Sequence, residues 1–258
     1  MAIMRQLADA GTSIVFITHK LREVRAVADE ITVIRRGTVV GEASPQDSES
    51  ELANKMVGRS VMMRVDKAEA HPSGGGLEFK EISMLSPTGL PLLDHVSFTV
   101  ERGEIVAVAG VQGNGQTELA QTILGLATPN SGEILLEGID ITHANPRKSL
   151  DAGIGFIPED RSTDGIISSF SIAENLVLDQ YKDSRFAAGP MLKLGIIAQN
   201  ARAKEEEFDI RLTSISDPVS SLSGGNQQKV VVAREMSKDL NLLVANQPTR
   251  GVDVGSIE

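Results

Sequence analysis

The sequence predicts an α/β fold with short strands and amphipathic helices. Short apolar runs rich in Val and Ile, such as Ser13–Ile17 and Leu242–Ala245, have the length and composition of buried strands. Segments with apolar residues three or four positions apart lie between these runs and favour helices. A glycine-rich segment, residues 110–117, joins one apolar run to a helix-prone segment. Strands that alternate with helices in this way indicate a sheet covered by helices.

Composition narrows the classes of function. The chain has 258 residues, 41% of them hydrophobic, which is enough material for a globular core. Because 35 acidic residues outnumber 25 basic ones, there is no overall positive field for nucleic acid or anionic lipid. The absence of cysteine excludes disulfides and thiolate metal sites. Apolar stretches such as Ile105–Ala109 are far shorter than the ~20 residues of a membrane span, so a membrane link would require a partner protein.

Residues 1–57 are expected to form a small α/β segment. Its predicted elements are a helix at 3–10, a strand at Ser13–Ile17, a helix ending near Ala28, a hairpin of Ile31–Ile34 with Val39-Val40 around Arg36-Gly37, and a short helix marked by Leu52, Met56 and Val57. His19 follows the predicted strand, where α/β sheets place ligands. A surface histidine in a loop has the same local pattern.

Residues 58–76 are charged and then Gly-rich, which is the composition of a flexible linker. A second unit is expected to start at Leu77. Its predicted strands are Leu77–Ile82, Leu92–Val100, Glu104–Ala109, Gly132–Leu136 and Leu242–Ala245. A short helix is expected at Pro146–Ala152, and residues 165–220 are expected to be mostly helical.

The glycine-rich segment has the strand–loop–helix context of a phosphate-binding loop. Its pattern fits G-x-x-x-x-G-[K]-[ST], except that Gln116 occupies the lysine position and carries no charge. A plain glycine turn is the alternative interpretation. The candidate ligand-binding residues are Gly110, Gly113, Asn114, Gly115, Gln116, Thr117 and Glu118.

A second candidate anion site lies at residues 222–229, Leu-Ser-Gly-Gly-Asn-Gln-Gln-Lys, which open another helix-prone segment. Glycines let backbone N–H groups approach a ligand, and the positive end of the helix dipole favours an anion. A serine-capped helix start would have the same pattern. The segment also resembles the signature motif of ABC-type ATPases, in the form found in importers of simple sugars and nucleosides. In that family the motif contacts the γ-phosphate of an ATP held mainly by a facing cassette, which implies ATP contacts for Ser223, Gly224, Gly225 and Asn226.

Other segments resemble further parts of the family. Ile17–Leu21 is similar to the switch-histidine segment, which implies that His19 contacts a γ-phosphate. Ile154–Arg161 resembles the region of the glutamine that contacts metal and attacking water, and Glu159 occupies that position. The resemblance implies the following roles for the remaining positions: Asn246 for the magnesium-binding aspartate, with Thr117 as a second magnesium position; Gln247 for the catalytic glutamate; and Asp253 for the D-loop aspartate.

The resemblance implies a P-loop NTPase fold, an ABC cassette with a mixed sheet core and a helical subdomain, preceded by a partial first-cassette α/β fragment. Residues 1–57 would be the end of a first cassette, 58–76 a linker, and 77–258 a second cassette truncated at its C-terminus. The helical subdomain, about 165–236, would face membrane subunits.

The implied function is that of the nucleotide-binding, energy-coupling subunit of an ABC importer for simple sugars or nucleosides. The ligands that the resemblance implies are ATP and Mg²⁺. The implied partners are another cassette, the permease subunits and, indirectly, a substrate-binding protein, but no nucleic acid. The implied location is peripheral, on the cytoplasmic face of the plasma membrane. The chain alone would be inactive, because Gln116 and Gln247 replace a cation and a general base. Two alternatives remain open: a non-hydrolysing structural or regulatory module, and a soluble ABC protein of DNA repair or translation.

Overall fold

The computed structural model describes residues 1–35, 37–60 and 69–252. The chain divides into two compact units, one drawn largely from residues 1–67 and the other spanning residues 68–250. They are described separately. In the part of the chain that the structure describes, every helix is too short or too polar to span a bilayer.

The smaller unit contains three helices and one hairpin among its described residues. These elements are α1 (Ala2–Asp9), α2 (Leu21–Val27), β1 (Ile31–Arg35), β2 (Thr38–Ala43) and α3 (Glu49–Val57). Strands β1 and β2 pair antiparallel, as predicted, although Arg36 in the turn lies outside the described residues. Helix α3 begins after Ser48, which forms a reciprocal capping box with Glu51, and ends at Gly58 in the left-handed conformation.

A small core holds this unit together. Leu21, Leu52 and Ala53 are buried against neighbouring apolar side chains. The strand predicted at Ser13–Ile17 is wrong: these residues belong to no strand, and the side chains of Val15 and Ile17 are 92% and 91% exposed. Strand propensity measures how well a side chain fits a pleated, half-buried surface, so an apolar run without a ladder partner does not become a strand.

The larger unit contains eight strands and five α-helices among its described residues. They are β3 (Ser73–Leu85), β4 (Pro91–Arg102), α4 (Gln116–Ile123), β5 (Ser131–Leu136), β6 (Ile139–Asp140), α5 (Pro146–Asp151), β7 (Ile154–Ile157), α6 (Ile172–Asn175), β8 (Ala187–Ala188), β9 (Met191–Leu192), α7 (Leu194–Glu207), α8 (Gly224–Glu235) and β10 (Leu242–Ala245). Most were expected from the sequence, with ends shifted by a few residues.

An antiparallel sheet of four strands, in the order β4-β3-β5-β6, forms one side of this unit. Leu77, Phe79 and Ile134 are buried between it and the apolar face of α4. Strand β3 begins earlier than predicted, at Ser73, so the last residues of the expected linker lie within a strand. Gly76 is required there, because a Cβ would lie 2.1 Å from the carbonyl oxygen of Val100.

Strands β7 and β10 form a separate parallel pair, in which Ile157 lies opposite Ala245. Strand β10 was expected to be buried, but its side chains alternate between half-buried and exposed positions. The strand predicted at Glu104–Ala109 is wrong: these residues belong to no strand, and Ile105 is 88% exposed. The same physical reason applies as at Ser13–Ile17, because no ladder bonds to β10 or β7 fix this segment.

The region expected to be mostly helical is only partly so. Between residues 165 and 220 it contains the short helix α6, the hairpin β8–β9 and the longer helix α7. Its core is nevertheless tight, since Ile172, Val219, Val230 and Val231 are completely buried. Helix α8 starts at Gly224, as the glycine pair predicts.

Buried charges connect α8 to β7. Glu235 Oε2 accepts hydrogen bonds from the backbone N–H of Phe156 at 3.0 Å and from Lys238 Nζ at 2.5 Å. The adjacent Arg234 donates from Nε to Glu235 Oε1 at 2.9 Å and from Nη1 to the carbonyl of Gly165 at 2.8 Å. Each buried charge therefore has an opposite charge and backbone partners, which offsets its cost of desolvation.

Candidate functional site

The glycine loop, residues 110–117, adopts a conformation that depends on glycine at two positions. Gly113 and Gly115 have φ of 88° and 96°, in the left-handed region. Gly115 also precedes α4 directly, and a Cβ there would lie 2.7 Å from the carbonyl oxygen of Leu92. A larger residue at 115 would therefore combine backbone strain with a steric clash. The two glycines are therefore required by the conformation of the loop and, at Gly115, by its contact with β4.

The side chain of Gln116 closes over this loop. Its Nε2 donates to the carbonyl of Val111 at 3.1 Å, and its Oε1 accepts from the backbone N–H of Asn114 at 3.2 Å. It lies so close to Gly110 that a Cβ there would be 2.2 Å from Nε2. An amide can make both bonds, whereas a lysine ammonium has no acceptor for the N–H of Asn114. A ligand that needs this N–H must first displace Gln116.

Glu159 lies beside the same loop. Its Oε1 accepts a hydrogen bond from Gln112 Nε2 at 3.1 Å and is ion-paired with Arg250 Nη1. Arg161 Nη1 in turn donates to the carbonyl of Arg250 at 3.0 Å. The position expected to contact metal and water is thus occupied by a carboxylate that is already paired with a guanidinium.

The segment after Glu159 is fixed by its own backbone bonds. Asp160 Oδ1 accepts from the N–H groups of Ser162 and Thr163 at 2.9 and 3.3 Å. These bonds hold the pKa of the Asp160 carboxyl below its ordinary value. They also stabilise the turn at Arg161–Gly165 that follows Glu159.

A cavity of about 670 Å³ brings together many of the residues predicted from the sequence. Its polar lining consists mainly of the glycine loop, Glu159, and the amides that follow β10; from the predicted set these are Gly110, Gly113, Gln116, Thr117, Glu159, Asn246 and Gln247. The remaining lining is apolar and includes Val106, Val108 and Leu243. The volume lies within the range of ~300–1,000 Å³ that is usual for ligand pockets.

The residues at the predicted metal positions fit a divalent cation poorly. Asn246 follows β10, and its backbone N–H donates to the carbonyl of Ile157 at 2.9 Å, while Gln247 has a left-handed φ of 48°. Both offer neutral amide oxygens, and Thr117 offers only a hydroxyl. Among the described residues, no group of three or more His, Cys, Asp or Glu is placed to hold a metal ion. Mg²⁺ is usually bound through one or two carboxylates, which these three positions do not supply.

The second predicted anion site is the start of α8. Ser223 caps the helix, and its Oγ accepts from Asn226 Nδ2 at 3.0 Å. Asn226 Oδ1 accepts from the backbone N–H of Arg211 at 2.8 Å. Ser223 is exposed and Gly225 is buried. These residues do not line the cavity, so the two predicted anion sites lie in different places of the larger unit.

Three predicted residues lie outside this arrangement. Glu118 lies in the first turn of α4 and does not line the cavity. His19 belongs to the smaller unit, where it is exposed and precedes Lys20 at the start of α2. Asp253 lies outside the described residues. The sequence interpretation missed Arg250 and Gln112. Their only sequence signals are that Arg250 closely follows Gln247 and that Gln112 lies within the glycine loop.

A family model for the ABC transporter matches residues 93–250, which include the glycine loop, Glu159, α8 and the amides after β10. The chain belongs to the ABC transporter family. Among curated proteins, this ABC chain is 46% identical over 258 residues to a glucose import ATP-binding protein of Haloferax volcanii, covering 99% of the chain and 47% of that protein. It is also 46% identical to a nucleoside import ATP-binding protein of Lactococcus lactis, covering all of the chain and 51% of that protein.

The ABC chain is also 40% identical to a guanosine import ATP-binding protein of Bacillus subtilis, of which it covers 51%. It thus spans about half the length of the curated relatives it matches. The predicted resemblance to sugar and nucleoside importer ATPases is confirmed.

Solved structures confirm the predicted ABC cassette fold. A dimeric ATP-binding cassette bound to ADP and phosphate, in a post-hydrolysis state, matches with a TM-score of 0.60 at 22% identity. The match covers 70% of the ABC chain and 77% of that cassette. A nucleotide-free cassette of an ABC transporter matches with a TM-score of 0.58 at 21% identity, covering 71% and 73%.

Proposed function

We propose that the chain is part of the nucleotide-binding, energy-coupling subunit of an importer for simple sugars or nucleosides. The observation that carries this proposal is the 46% identity to both a glucose and a nucleoside import ATP-binding protein, over nearly the whole chain. In this proposal the subunit lies peripherally at the cytoplasmic face of the plasma membrane. It contacts permease subunits and, through them, a substrate-binding protein.

The two anion sites then have different roles. The loop at 110–117 binds the phosphates of ATP through backbone N–H groups, after Gln116 is displaced. It does not hydrolyse ATP, because Gln247 replaces the general base, and such a group contributes roughly 10²–10⁴-fold to a rate. Ser223–Asn226, together with Asp253, completes the ATP site of a paired cassette, and His19 contacts the γ-phosphate within the cassette to which residues 1–57 belong.

An assay of ATP binding and ATP turnover tests the role proposed for residues 110–117. The 258-residue chain should bind a fluorescent ATP analogue and hydrolyse ATP at background rate. A turnover of about 1 s⁻¹ or more, the low end for typical enzymes, would contradict the assignment of residues 110–117 as a non-hydrolysing site. A binding-incompetent chain would contradict it as well.

A second candidate is a non-hydrolysing regulatory module, which the neutral residues Gln116 and Gln247 favour. The two functions predict different rates of ATP turnover when a complete first cassette and the permease are added to the chain. The importer subunit should then support ATP turnover that Ser223→Ala reduces, whereas a regulatory module would leave turnover at background. A pull-down of the permease also separates the importer subunit from an ABC protein that has no membrane partner.

A further inference from the structure

An ion pair joins two segments that are 91 positions apart in sequence, Glu159 and Arg250. Both segments follow the parallel pair: Glu159 comes shortly after β7, and Arg250 follows β10. Because Ile157 and Ala245 are neighbours in the ladder, the two segments leave the same edge of the sheet. The Glu159 side chain is 17% exposed and that of Arg250 is 52% exposed, so the carboxylate is the more enclosed member of the pair.

The carboxylate of Glu159 faces the glycine loop. Its Oε1 accepts from Gln112 in the loop at 3.1 Å, and the same oxygen is paired with Arg250. Residues 110–117 contain no charged side chain of their own. An uncompensated carboxylate at this place would repel a polyphosphate bound to the loop, and nothing within the loop would offset the repulsion.

The geometry points to Arg250 as a positioning residue for the nucleotide, one that determines affinity by cancelling the charge of Glu159. The argument rests on the proposed nucleotide binding at residues 110–117. Arg250 holds the Glu159 carboxylate, so the loop meets a neutral pair instead of an anion. The backbone of Arg250 is itself fixed, because its carbonyl accepts from Arg161 and its N–H donates to the carbonyl of Gln247 at 2.9 Å. The guanidinium is therefore presented to Glu159 by a defined turn.

A charge-removal and rescue experiment on the full 258-residue chain tests this inference, with fluorescent analogues of ATP, ADP and AMP as probes. Arg250→Gln keeps hydrogen-bonding capacity and removes the cation. We expect it to weaken ATP binding about tenfold, ADP binding less, and AMP binding little, because repulsion grows with phosphate charge. Glu159→Gln added to Arg250→Gln should restore ATP affinity to within about threefold of the wild type, since no unpaired anion remains.

The matched control is Arg147→Gln, which removes a similarly exposed cation paired with Asp151 in α5. It should leave all three affinities unchanged. The urea midpoint of each variant shows whether folding is affected. The inference is overturned if Arg250→Gln binds ATP as tightly as the wild type, if the double variant binds as weakly as Arg250→Gln, or if all three nucleotides lose affinity equally. A wild-type chain that binds no nucleotide would overturn the proposed loop site as well.

Discussion

Glycine lies at the start of both α4 and α8, as the residue before α4 and as the first residue of α8, yet the two helix starts have different surroundings. At α8 the cap is Ser223, and Val230 and Val231 behind it are completely buried. At α4 the cap is Gly115, and the segment 104–110 that leads into the loop is exposed over most of its length. The glycine pattern predicts both turns, and the two starts differ in what leads to them and follows them: the residues before the glycine loop are exposed, whereas α8 contributes completely buried side chains.

The largest expected difference comes from removing two methyl groups from a valine within α8 or from a valine in the segment before the glycine loop. Val231→Ala should lower the free energy of unfolding of the larger unit by about 2 kcal/mol, because it leaves a cavity among completely buried side chains. Val108→Ala, at a side chain that is 55% exposed, should change it by less than about 0.5 kcal/mol. Urea unfolding followed by circular dichroism measures both. Equal losses would mean that the segment before the loop packs as tightly as α8.

The next largest effect concerns nucleotide affinity at the loop that precedes α4. Gln116→Lys should tighten binding of an ATP analogue about tenfold, since charge-assisted hydrogen bonds to phosphate replace those to Val111 and Asn114. Turnover should stay at background, because Gln247 is unchanged. Titration with a fluorescent ATP analogue measures the affinity.

The control for this prediction is Gln121→Lys, which adds the same charge at an exposed position of α4 outside the loop. It should change the affinity much less. If both variants tighten binding equally, the gain comes from overall charge, and residues 110–117 are not the phosphate site.

The smallest effect concerns the cap of α8. Ser223→Ala removes the hydroxyl that accepts from Asn226, and should cost about 1 kcal/mol of stability. Ser223→Thr, which keeps the hydroxyl, should cost only a fraction of this. The same urea experiment applies. A loss as large as that of Val231→Ala would show that the cap contributes as much to this helix start as the core behind it.

Helices, caps and turns were predictable from the sequence, whereas the pairing of distant strands was harder to predict. Capping residues, glycines and apolar spacing correctly predicted α3, the start of α8 and the hairpin β1–β2. The strands expected at Ser13–Ile17 and Glu104–Ala109 failed, because a strand requires hydrogen bonds from a distant segment that local propensity does not specify.

In the candidate site too, the positions of residues were predictable, but the contacts between them were not. The positions of Gln116, Glu159 and Gln247 could be found by motif, and the cavity brings all three together. The hydrogen bonds that Gln116 makes across the loop depend on side-chain conformation. The pairing of Glu159 with Arg250 depends on the parallel register of β7 and β10, which no short motif contains.

The bond from Phe156 to Glu235 makes a mechanical linkage of α8 and β7. The donor is a main-chain N–H of the strand, and the acceptor is the buried carboxylate of Glu235, which Arg234 and Lys238 also hold in place. The strand ends at Ile157, two residues before Glu159. Helix α8 is thus coupled, through one hydrogen bond, to the strand that leads to the carboxylate facing the glycine loop.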